Sequence, residues 1–391
     1  MFSSRLRQGP ARNRLSLALE ARRTAGRPIA DLTLSNPTKA GLAYPPDLLE
    51  ALQREEALHY DPEPFGTLQA REAVAAELQR HGIGTVPARI VLTASTSEAY
   101  SLLFKLLCDP GDTVLAPRPS YPLVEHLADL DGVALEHYSL EFHGTWMFDV
   151  HGLQQKMTAH RTGRIGAIIT ISPNNPTGSI VNDRDLEIAA TLARDHGAAL
   201  IADEVFADYP IVGRFSSVLR QHTALTFALG GLSKSIGLPQ AKLGWIAVGG
   251  PSRLVDEALA RLETICDAYL SVSTPIQIAA PELLKRGGVI REQIRTRVRR
   301  NYARLIELAA AHPACSVLPV EAGWYAVVQV PATEPEEILV LDLLDRTGVL
   351  VYPGYFFDFE REAYFVVSLL PEPGVFASGA EAVFETAGGR L

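Results

Sequence analysis

One lysine, Lys234, stands among small and apolar residues and is followed eight positions later by a second cation, Lys242. A lysine that is shielded from water loses its proton more easily than an exposed one, and the neutral amine attacks a carbonyl group to form a Schiff base. The second cation is suited to hold a phosphate group. Taken alone, a lysine in a turn of small residues also fits a solvated loop without chemistry, so the rest of the chain has to decide.

The composition is that of an ordinary globular protein. Its 391 residues, 47% of them hydrophobic, suffice for a large core and suggest two or three domains. The formal net charge of −9 and the sequence pI near 5.6 argue against nucleic acid or an anionic membrane as main partner, because both require a basic surface. The arginine-rich stretch 291–304 has helical apolar spacing, so we interpret it as a solvated helix face.

Cysteine usage and the chain start bear on the compartment. Cys108, Cys266 and Cys315 are far apart and match no metal-ligand spacing, so we expect neither a disulfide framework nor a metal site. Residues 1–10 are polar and precede no apolar segment, and no later apolar run approaches the length of a membrane span. The sequence therefore predicts a cytoplasmic protein that is neither exported nor embedded in a membrane.

Short β-rich runs alternate with helical ones over the first two thirds of the chain, which is typical of a parallel sheet with crossover helices. The predicted strands are 89–93, 113–116, 165–171, 199–202, 223–229 and 242–248. The predicted helices are 66–81, 96–108, 121–129, 183–196 and 252–266. We therefore expect an α/β fold whose large domain, residues 46–280, has a mainly parallel sheet flanked by helices.

After Thr274 the pattern changes to a long helical stretch through Leu308, followed by shorter elements. These are strands at 316–320 and 323–330, a helix near 335–347, and strands at 350–351 and 364–369. They predict a smaller α+β domain at residues 281–391. Residues 1–45 contain Asn36-Pro37 and Tyr44-Pro45-Pro46, which indicate an extended N-terminal arm that packs with the small domain.

Ligands of open α/β sheets bind beyond the carboxyl ends of the strands, so the residues after each predicted strand are the candidates for chemistry. Ser95, Thr96 and Ser97 follow the first strand and open a helix, where backbone N–H groups and the helix dipole favour a phosphate. The same residues also fit a plain helix cap. Tyr121 follows the next strand in a proline-rich loop, either as a flat stacking partner or as a surface aromatic.

The next two strands lead to an amide and a carboxylate. Asn175, held by Pro176, either directs its amide at a ring hydroxyl or belongs to a simple loop. Asp203 ends the following strand, where a buried carboxylate requires a cation unless it has only a structural role. A protonated pyridine nitrogen is such a cation, and this pairing makes pyridoxal 5′-phosphate (PLP) an electron sink. The fifth strand leads into Lys234, so the set points to PLP.

The order and spacing of these motifs resemble the fold-type I PLP enzymes, specifically the class I and II aminotransferases of the aspartate aminotransferase superfamily. The resemblance rests on Asn-Asn-Pro-Thr-Gly at 174–178, Asp-Glu-Val at 203–205 and Ser-Lys at 233–234, in this order. The matching motifs span residues 60–368, which is most of the chain. The resemblance implies an aminotransferase that uses PLP.

The resemblance also implies a role for each residue. Lys234 is expected to form the internal aldimine and to shuttle the proton, while Asp203 pairs with the pyridinium nitrogen. Asn175 is expected to bind the phenolic oxygen of the ring, on which Tyr121 stacks. The remaining implied cofactor ligands are Ser95, Thr96, Ser97 and Lys242 at the phosphate, with Ser233 beside the lysine.

Tyr60 resembles the family tyrosine that reaches the phosphate of the neighbouring subunit, which implies a homodimer with shared sites. In the segment 60–66 of this chain, one extra residue precedes the glycine. The cofactor side shows further departures. Gly231 replaces the usual serine and Lys242 the usual arginine, so the phosphate has fewer or less rigid donors. Phe206 stands where the family has a tyrosine that shares the phenolic oxygen, so Phe206 leaves that bond to Asn175.

The substrate side departs more strongly. Ser35 occupies the place of a glycine that lies beside the substrate in the family, and Val366 replaces the arginine that grips the α-carboxylate. Valine cannot donate hydrogen bonds, whereas an arginine offers two that are charge-assisted. Either the substrate presents no carboxylate there, or another cation has taken over the role of the arginine.

Each of these alternatives has its own residues. An amine without a carboxylate would pack its apolar end on Val366, Tyr355 and Phe356. The candidate for a substitute cation is Lys39, next to the arm segment that resembles the part lying over the substrate; a solvated surface lysine is the other interpretation.

Three functions fit the sequence. The favoured one is an aminotransferase that moves an amino group between an amino acid or amine and a 2-oxo acid. Another PLP chemistry on the same fold, as in a lyase, racemase or decarboxylase, breaks a different bond at the α-carbon. A non-catalytic PLP-binding or regulatory protein is the third, although no helix-turn-helix segment precedes the domain.

Overall fold

The computed structural model describes Ser3, Arg5, residues 12–159 and residues 163–388. Apart from Ser3 and Arg5, the prediction for residues 1–10 lies outside the described residues, as do the first positions of the predicted arm and residues 389–391 of the predicted C-terminal domain.

The helices of the described chain are α1 (Arg14–Thr24), α2 (Leu68–Gln79), α3 (Thr96–Leu107), α4 (Leu123–Asp131), α5 (Val150–Ala159), α6 (Asp183–Asp195), α7 (Leu232–Ser235), α8 (Ser252–Tyr269), α9 (Thr274–Arg286), α10 (Gly288–Ala311), α11 (Glu336–Thr347) and α12 (Pro373–Gly388). The strands are β1 (Ala30–Asp31), β2 (Ile90–Thr93), β3 (Thr113–Arg118), β4 (Ala134–Phe142), β5 (Trp146–Phe148), β6 (Ile165–Ile171), β7 (Ala199–Asp203), β8 (Thr226–Gly231), β9 (Gly244–Gly249), β10 (Ser316–Val317), β11 (Tyr325–Gln329), β12 (Val349–Leu350), β13 (Tyr352–Pro353) and β14 (Tyr364–Ser368).

The large sheet has the order β2-β9-β8-β7-β6-β3-β4-β5. Neighbours from β8 through β4 pair in parallel, whereas β9 runs antiparallel to both β2 and β8, and β5 forms a hairpin with β4. The central strand β6 is buried at every position, as expected of a parallel strand that is covered on both faces. The predicted α/β fold with a mainly parallel sheet is therefore the observed one.

Crossover helices cover both faces of this sheet. Successive strand residues point to opposite faces, so Ile169 packs into one core with α3 and α8, and Ile168 packs into the other core with α2, α6 and α9. Because β2 and β8 both oppose β9, the strands β2, β3, β6, β7 and β8 all end at one edge of the sheet. This edge collects the side chains that follow each of these strands.

A second, antiparallel sheet has the order β10-β11-β14-β13. The N-terminal segment joins this region through β1, which pairs in parallel with β12 so that Ala30 lies opposite Val349. Leu32, fully buried, continues the contact by accepting a hydrogen bond from the Ser368 N–H at the end of β14. The arm is therefore fixed against the strands that follow Thr274.

Two features differ from the sequence-based expectations. The arm is not wholly extended, because α1 occupies Arg14–Thr24; the Asn13 side chain caps it by accepting from the Ser16 N–H at 2.7 Å. The prolines that suggested an extended arm come after this helix. The predicted helix through Leu308 is two helices, interrupted at Gly287, where a side chain would meet Ile236 at 2.7 Å. The sequence did not predict β4, β5, α5 or α12.

A glycine turn ties the large sheet to the second one. Gly178, in the turn after β6, has φ +69° and its carbonyl accepts from the N–H groups of Glu321 and Ala322 at 3.0 and 2.9 Å. A Cβ at this position would lie 2.5 Å from the Val320 side chain and 2.9 Å from the Ala322 carbonyl oxygen. Both the backbone conformation and the close approach therefore require glycine.

We expect Gly178→Ala to lower the melting temperature more than Gly26→Ala does. Gly26 has a similar φ, +63°, but nothing lies within 4 Å of the point that a Cβ would occupy, so it reports the left-handed strain alone, about 1–2 kcal/mol. Gly178→Ala adds the steric overlap, about 1–3 kcal/mol more. Thermal unfolding of both variants measures the difference, and equal shifts would contradict the assigned contact.

Candidate active site

The carboxyl ends of the strands surround a cavity of about 280 Å³. The predicted site residues that line it are Ser35, Ser95, Thr96, Ser97, Tyr121, Asn175, Asp203, Phe206, Ser233 and Lys234. The cavity lining does not include four others, Lys39, Tyr60, Lys242 and Val366. It does include Tyr100, Tyr325, Tyr352 and Phe357, which sequence reasoning did not single out.

Lys234 lies on the short helix α7, directly after β8. Its backbone is held from behind, because the Tyr209 hydroxyl donates to the carbonyls of Lys234 and Ser235 and the Arg291 Nε donates to the Ser235 carbonyl at 3.0 Å. The Lys234 Nζ lies 5.3 Å from the ring centre of Trp324. Burial lowers the pKa of Lys234, while the charge of Asp203 opposes this shift. The amine is therefore more easily neutral than that of an exposed lysine.

Asp203 ends β7 and pairs in register with Ile171 of β6. Its carboxylate accepts from the Tyr100 hydroxyl and from the Val205 N–H, each at 3.3 Å. Burial raises the pKa of Asp203 to about 6, although these two hydrogen bonds and the charge of Lys234 act in the opposite direction. The carboxylate is thus incompletely compensated, and a cationic ring nitrogen beside it would supply what it lacks.

Two adjacent asparagines in the turn after β6 have different environments. The Asn174 side-chain oxygen accepts from the N–H and hydroxyl of Thr177, at 3.2 and 2.9 Å, and so shapes the turn. The Asn175 Oδ1 is buried at the cavity and has no hydrogen-bond partner among the described residues. A buried amide that is not paired within the protein is available to a ligand.

The start of α3 forms the polar end of the cavity. Ser95 is the N-cap: its hydroxyl accepts from the Glu98 N–H at 3.1 Å, and the Glu98 carboxylate accepts from the Ala94 N–H at 2.5 Å. Thr96 and Ser97 occupy the first turn and line the cavity. Hydroxyls and the positive end of the helix dipole suit a phosphate at this end.

The structure bears on the two predicted departures from the family at the phosphate end, Gly231 and Lys242. A Cβ on Gly231 would lie 3.1 Å from the Leu243 carbonyl oxygen and 3.2 Å from the Gly244 Cα, so a serine would be tightly placed there. Lys242 has φ +53° and is exposed, and its side chain does not reach the cavity lining. Within the described chain, the predicted cation is thus missing from this end.

Aromatic rings form the walls. The ring of Tyr121 is half exposed and lies 6.4 Å from that of Phe357. The ring of Phe206 is buried and packs edge-on against Trp324 at 5.3 Å and Tyr325 at 6.2 Å. Phe206 therefore offers an apolar surface where a tyrosine would offer a hydroxyl.

The remaining predicted residues lie elsewhere. Tyr60 is 65% exposed, and Lys39 is exposed on the arm. Val366 is fully buried in β14, and neither Tyr355 nor Phe356 lines the cavity. The expected apolar surface for a substrate at these three residues is therefore not present at the wall.

The missed residues carry no local sequence signal. Tyr100 reaches Asp203 only because α3 packs on the sheet over β2, β6, β8 and β9, and Tyr325 and Tyr352 reach the cavity through the pairing of the second sheet. In the part of the chain that the structure describes, no helix has the length and apolarity to cross a membrane, and no three possible metal ligands lie together.

The donor set fits PLP. It combines an amine of lowered pKa, a carboxylate that lacks a full counter-charge, an asparagine side chain whose amide oxygen is unpaired within the described residues and whose N–H₂ can donate, and a helix start lined with hydroxyls. These correspond to the aldehyde, the ring nitrogen, the phenolic oxygen and the phosphate of the cofactor.

Comparisons with known proteins agree with this chemistry. Residues 28–371 match the family described as "Aminotransferase class I and II". The chain is 26% identical over 368 residues to the glutamate-pyruvate aminotransferase AlaA of Haemophilus influenzae, covering 88% of this chain and 87% of that protein. It is 30% identical over 251 residues to the S-alkyl-thiohydroximate lyase SUR1 of Arabidopsis thaliana, covering 61% of this chain and 52% of that one.

A solved structure has the same fold over its whole length. The alanine aminotransferase from Pyrococcus furiosus superimposes with a TM-score of 0.89 at 23% identity, and the match covers 100% of both chains.

We expect Asp203→Asn to stabilise the cofactor-free protein above about pH 6. The folded-state pKa of Asp203, about 6, lies above its ordinary value of 3.8, so ionisation penalises the native state progressively as pH rises from about 4 to 6. An amide removes a penalty of up to about 3 kcal/mol. Melting temperatures of both apoproteins between pH 4.5 and 8 measure this. The variant's advantage must shrink as pH falls, and a wild type that is the more stable at pH 8 would disprove the assignment.

Proposed function

The chain belongs to the class I and II aminotransferases, which are PLP-dependent, and we propose that Lys234 is the residue that carries its cofactor. In this proposal, the enzyme moves an amino group between an amino acid or amine and a 2-oxo acid, with the cofactor aldehyde held by the Lys234 amine. The observation that supports it is the convergence of Lys234, Asp203 and Asn175 on one cavity with the start of α3.

When bound, PLP supplies a carbonyl carbon that condenses with amines and a ring that accepts an electron pair from the substrate's α-carbon. The Asp203 carboxylate would keep the ring nitrogen protonated, and the Tyr100 hydroxyl, which donates to that carboxylate, would orient it. The amide of Asn175 would bind the phenolic oxygen, and Tyr121 would cover the ring. Hydroxyls at the opposite end would bind the phosphate: Ser95, Thr96, Ser97 and Ser233.

Lys234 would have a second task with the cofactor and a substrate bound. Its Nζ would take up the proton that leaves the substrate's α-carbon and give it back to complete the transfer. Burial lowers the pKa of this amine, which leaves more of it in the basic form. Lys234 and Asp203 are the charged side chains among the described lining residues, and Asp203 would pair with the ring nitrogen. One lysine therefore performs both proton transfers.

A lyase is the second candidate, because one relative at 30% identity bears that name. The two reactions differ in what they leave behind. Amino-group transfer converts the cofactor to its pyridoxamine form and requires a 2-oxo acid to restore it, whereas a lyase returns the aldehyde form in every cycle.

We expect borohydride reduction of the holoenzyme to fix a pyridoxyl label on Lys234, identified by peptide mapping. Lys234→Ala should lose the label and several orders of magnitude in kcat, because both cofactor attachment and proton transfer depend on this amine. Lys242→Ala is the matched control, since this lysine is exposed and should leave the label in place. A label on another lysine, or none, would rule out the assignment.

We propose further that the enzyme is a homodimer with shared sites. Large apolar side chains near Tyr60 and at the end of α8 are exposed on the single chain, with Leu58 84%, Tyr60 65% and Leu270 64% exposed. A second copy covering them would bury costly apolar surface. Tyr60 would then supply a phosphate donor at the partner's α3, where the described chain itself places no cation.

The proposed compartment is the cytoplasm, supported by the wide separation of Cys108, Cys266 and Cys315, each a free thiol. The division into an arm at 1–45, a large domain at 46–280 and a small domain at 281–391 also stays a prediction. The separate second sheet and the pairing of β1 with β12 support it.

We expect sedimentation to give a dimer, and mixed dimers of two inactive chains to regain activity. If Tyr60 acts across the interface, then pairing a Lys234→Ala chain with a Tyr60→Phe chain produces one site free of both substitutions. Coexpression with two different tags isolates the mixed species. A fully active monomer, or mixed dimers no more active than the two parents, would refute shared sites.

A further inference from the structure

Two tyrosines flank the position of the missing arginine in the second sheet. In the second sheet, Val366 of β14 lies opposite Val327 of β11 and Tyr352 of β13, and Tyr325 lies opposite Ser368. Cross-strand partners project from the same face of a sheet, so Tyr325 and Tyr352 flank Val366 on its own face. Both tyrosines line the cavity, whereas Val366 is fully buried.

The arm supplies a third hydroxyl near the two phenols. The Ser368 hydroxyl donates to the Leu34 carbonyl at 2.6 Å, which fixes the arm against the end of β14. The next residue, Ser35, lines the cavity with Tyr325 and Tyr352. We call Ser35, Tyr325 and Tyr352 the hydroxyl cluster.

The hydroxyl cluster is a neutral polar patch on an otherwise aromatic wall. Among the described lining residues, Lys234 is the one cation, and the family mechanism reserves it for the cofactor. Phenylalanine occupies the same wall at 206 and 357, and of the other lining tyrosines Tyr100 donates to Asp203 and Tyr121 is the proposed stacking ring. A purely apolar substrate group packed on the hydroxyls of this cluster would exclude water from them and offer no hydrogen bond in exchange. Each hydroxyl left unsatisfied in this way costs about 1–3 kcal/mol of binding free energy.

A carboxylate would satisfy these hydroxyls, because it accepts several hydrogen bonds and the bonds are charge-assisted. Burial raises the pKa of Tyr325 and of Tyr352, so both phenols stay protonated and able to donate at neutral pH.

Resting on the proposed aminotransferase function, we propose that the hydroxyl cluster binds the carboxylate of α-amino acid and 2-oxo acid substrates in place of a guanidinium. Neutral donors thus replace the salt bridge, and neither a carboxylate-free amine nor Lys39 is needed to explain Val366. Ser35, Tyr325 and Tyr352 are the specificity-determining residues of this end of the cavity.

The test compares probes that differ only in the carboxylate. The holoenzyme is titrated with L-alanine and ethylamine, and with L-phenylalanine and 2-phenylethylamine, and the change in cofactor absorbance gives each dissociation constant. We expect the wild type to bind each amino acid more tightly than its amine. Tyr325→Phe and Tyr352→Phe should each weaken amino acid binding by about tenfold, as expected for a hydrogen bond to a charged group, and amine binding by less than about twofold.

The matched control is Tyr355→Phe, which removes a hydroxyl from a tyrosine of the same region that is 41% exposed and does not line the cavity. This variant should leave the dissociation constants of both the amines and the amino acids unchanged. Ser35→Ala should weaken the amino acids selectively, and Ser35→Gly should do the same, since both lack the hydroxyl.

Several results would overturn the proposal. Equal losses for amines and amino acids in the phenylalanine variants would mean that the hydroxyls only support the fold. A wild type without preference for the amino acids would mean that no carboxylate is recognised, and a selective loss in Lys39→Ala would return the role to a cation. In each case, conversion of the wild-type cofactor to its pyridoxamine form would leave the aminotransferase function intact. If none of the four probes changed the cofactor absorbance, the result would count against both the carboxylate site and the aminotransferase function.

Discussion

A carboxylate that is buried without a full counter-charge, that of Asp203, is the constraint around which the cavity is organised. The strand that carries it lies in the middle of a sheet, and the partly buried Asp203 faces the cavity at the end of that strand. Burial alone would favour the protonated form, and two hydrogen bonds with the charge of Lys234 recover only part of the difference. The negative charge of Asp203 therefore stays partly uncompensated in the protein, and a protonated ring nitrogen would compensate it. The same shielding lowers the pKa of Lys234, so one environment prepares both groups.

Holding Lys234 opposite Asp203 requires rigidity on the far side of α7. Arg291 of α10 forms ion pairs with Glu77 of α2 and with Asp208, which follows β7, and it also donates to the Ser235 carbonyl. These side chains are less than a tenth exposed, so removing one partner would leave a buried charge uncompensated. Together with Tyr209, the cluster connects the lysine turn to two helices and to the loop that follows Asp203. The relative position of the amine and the carboxylate thus depends on packing well outside the cavity.

The sequence predicted the residues whose positions follow from strand order and failed where position depends on distant pairing. Lys234, Asp203 and Asn175 each come directly after a strand, and parallel strands bring such positions to one edge, so their convergence could be anticipated. Tyr325 and Tyr352 lie on the wall only because β11, β14 and β13 pair in one particular register. Lys242 has the expected spacing, but its backbone adopts φ +53°, a left-handed conformation that lysine rarely takes and that the local sequence does not indicate.

The cofactor end and the substrate end of the cavity are built by different parts of the chain, which explains how one can keep the family pattern while the other departs from it. The cofactor groups stand on the large sheet, whereas Ser35, Tyr325 and Tyr352 come from the arm and the second sheet. At the second end, the substitutions depend on one another. Val366 is fully buried opposite Tyr352, so a guanidinium at this position alone would have to displace the ring or lie buried without a partner. In the proposed carboxylate site, the valine, the serine and the two phenols therefore form one alternative to the family arginine, and Val366→Arg alone would not restore the arginine arrangement.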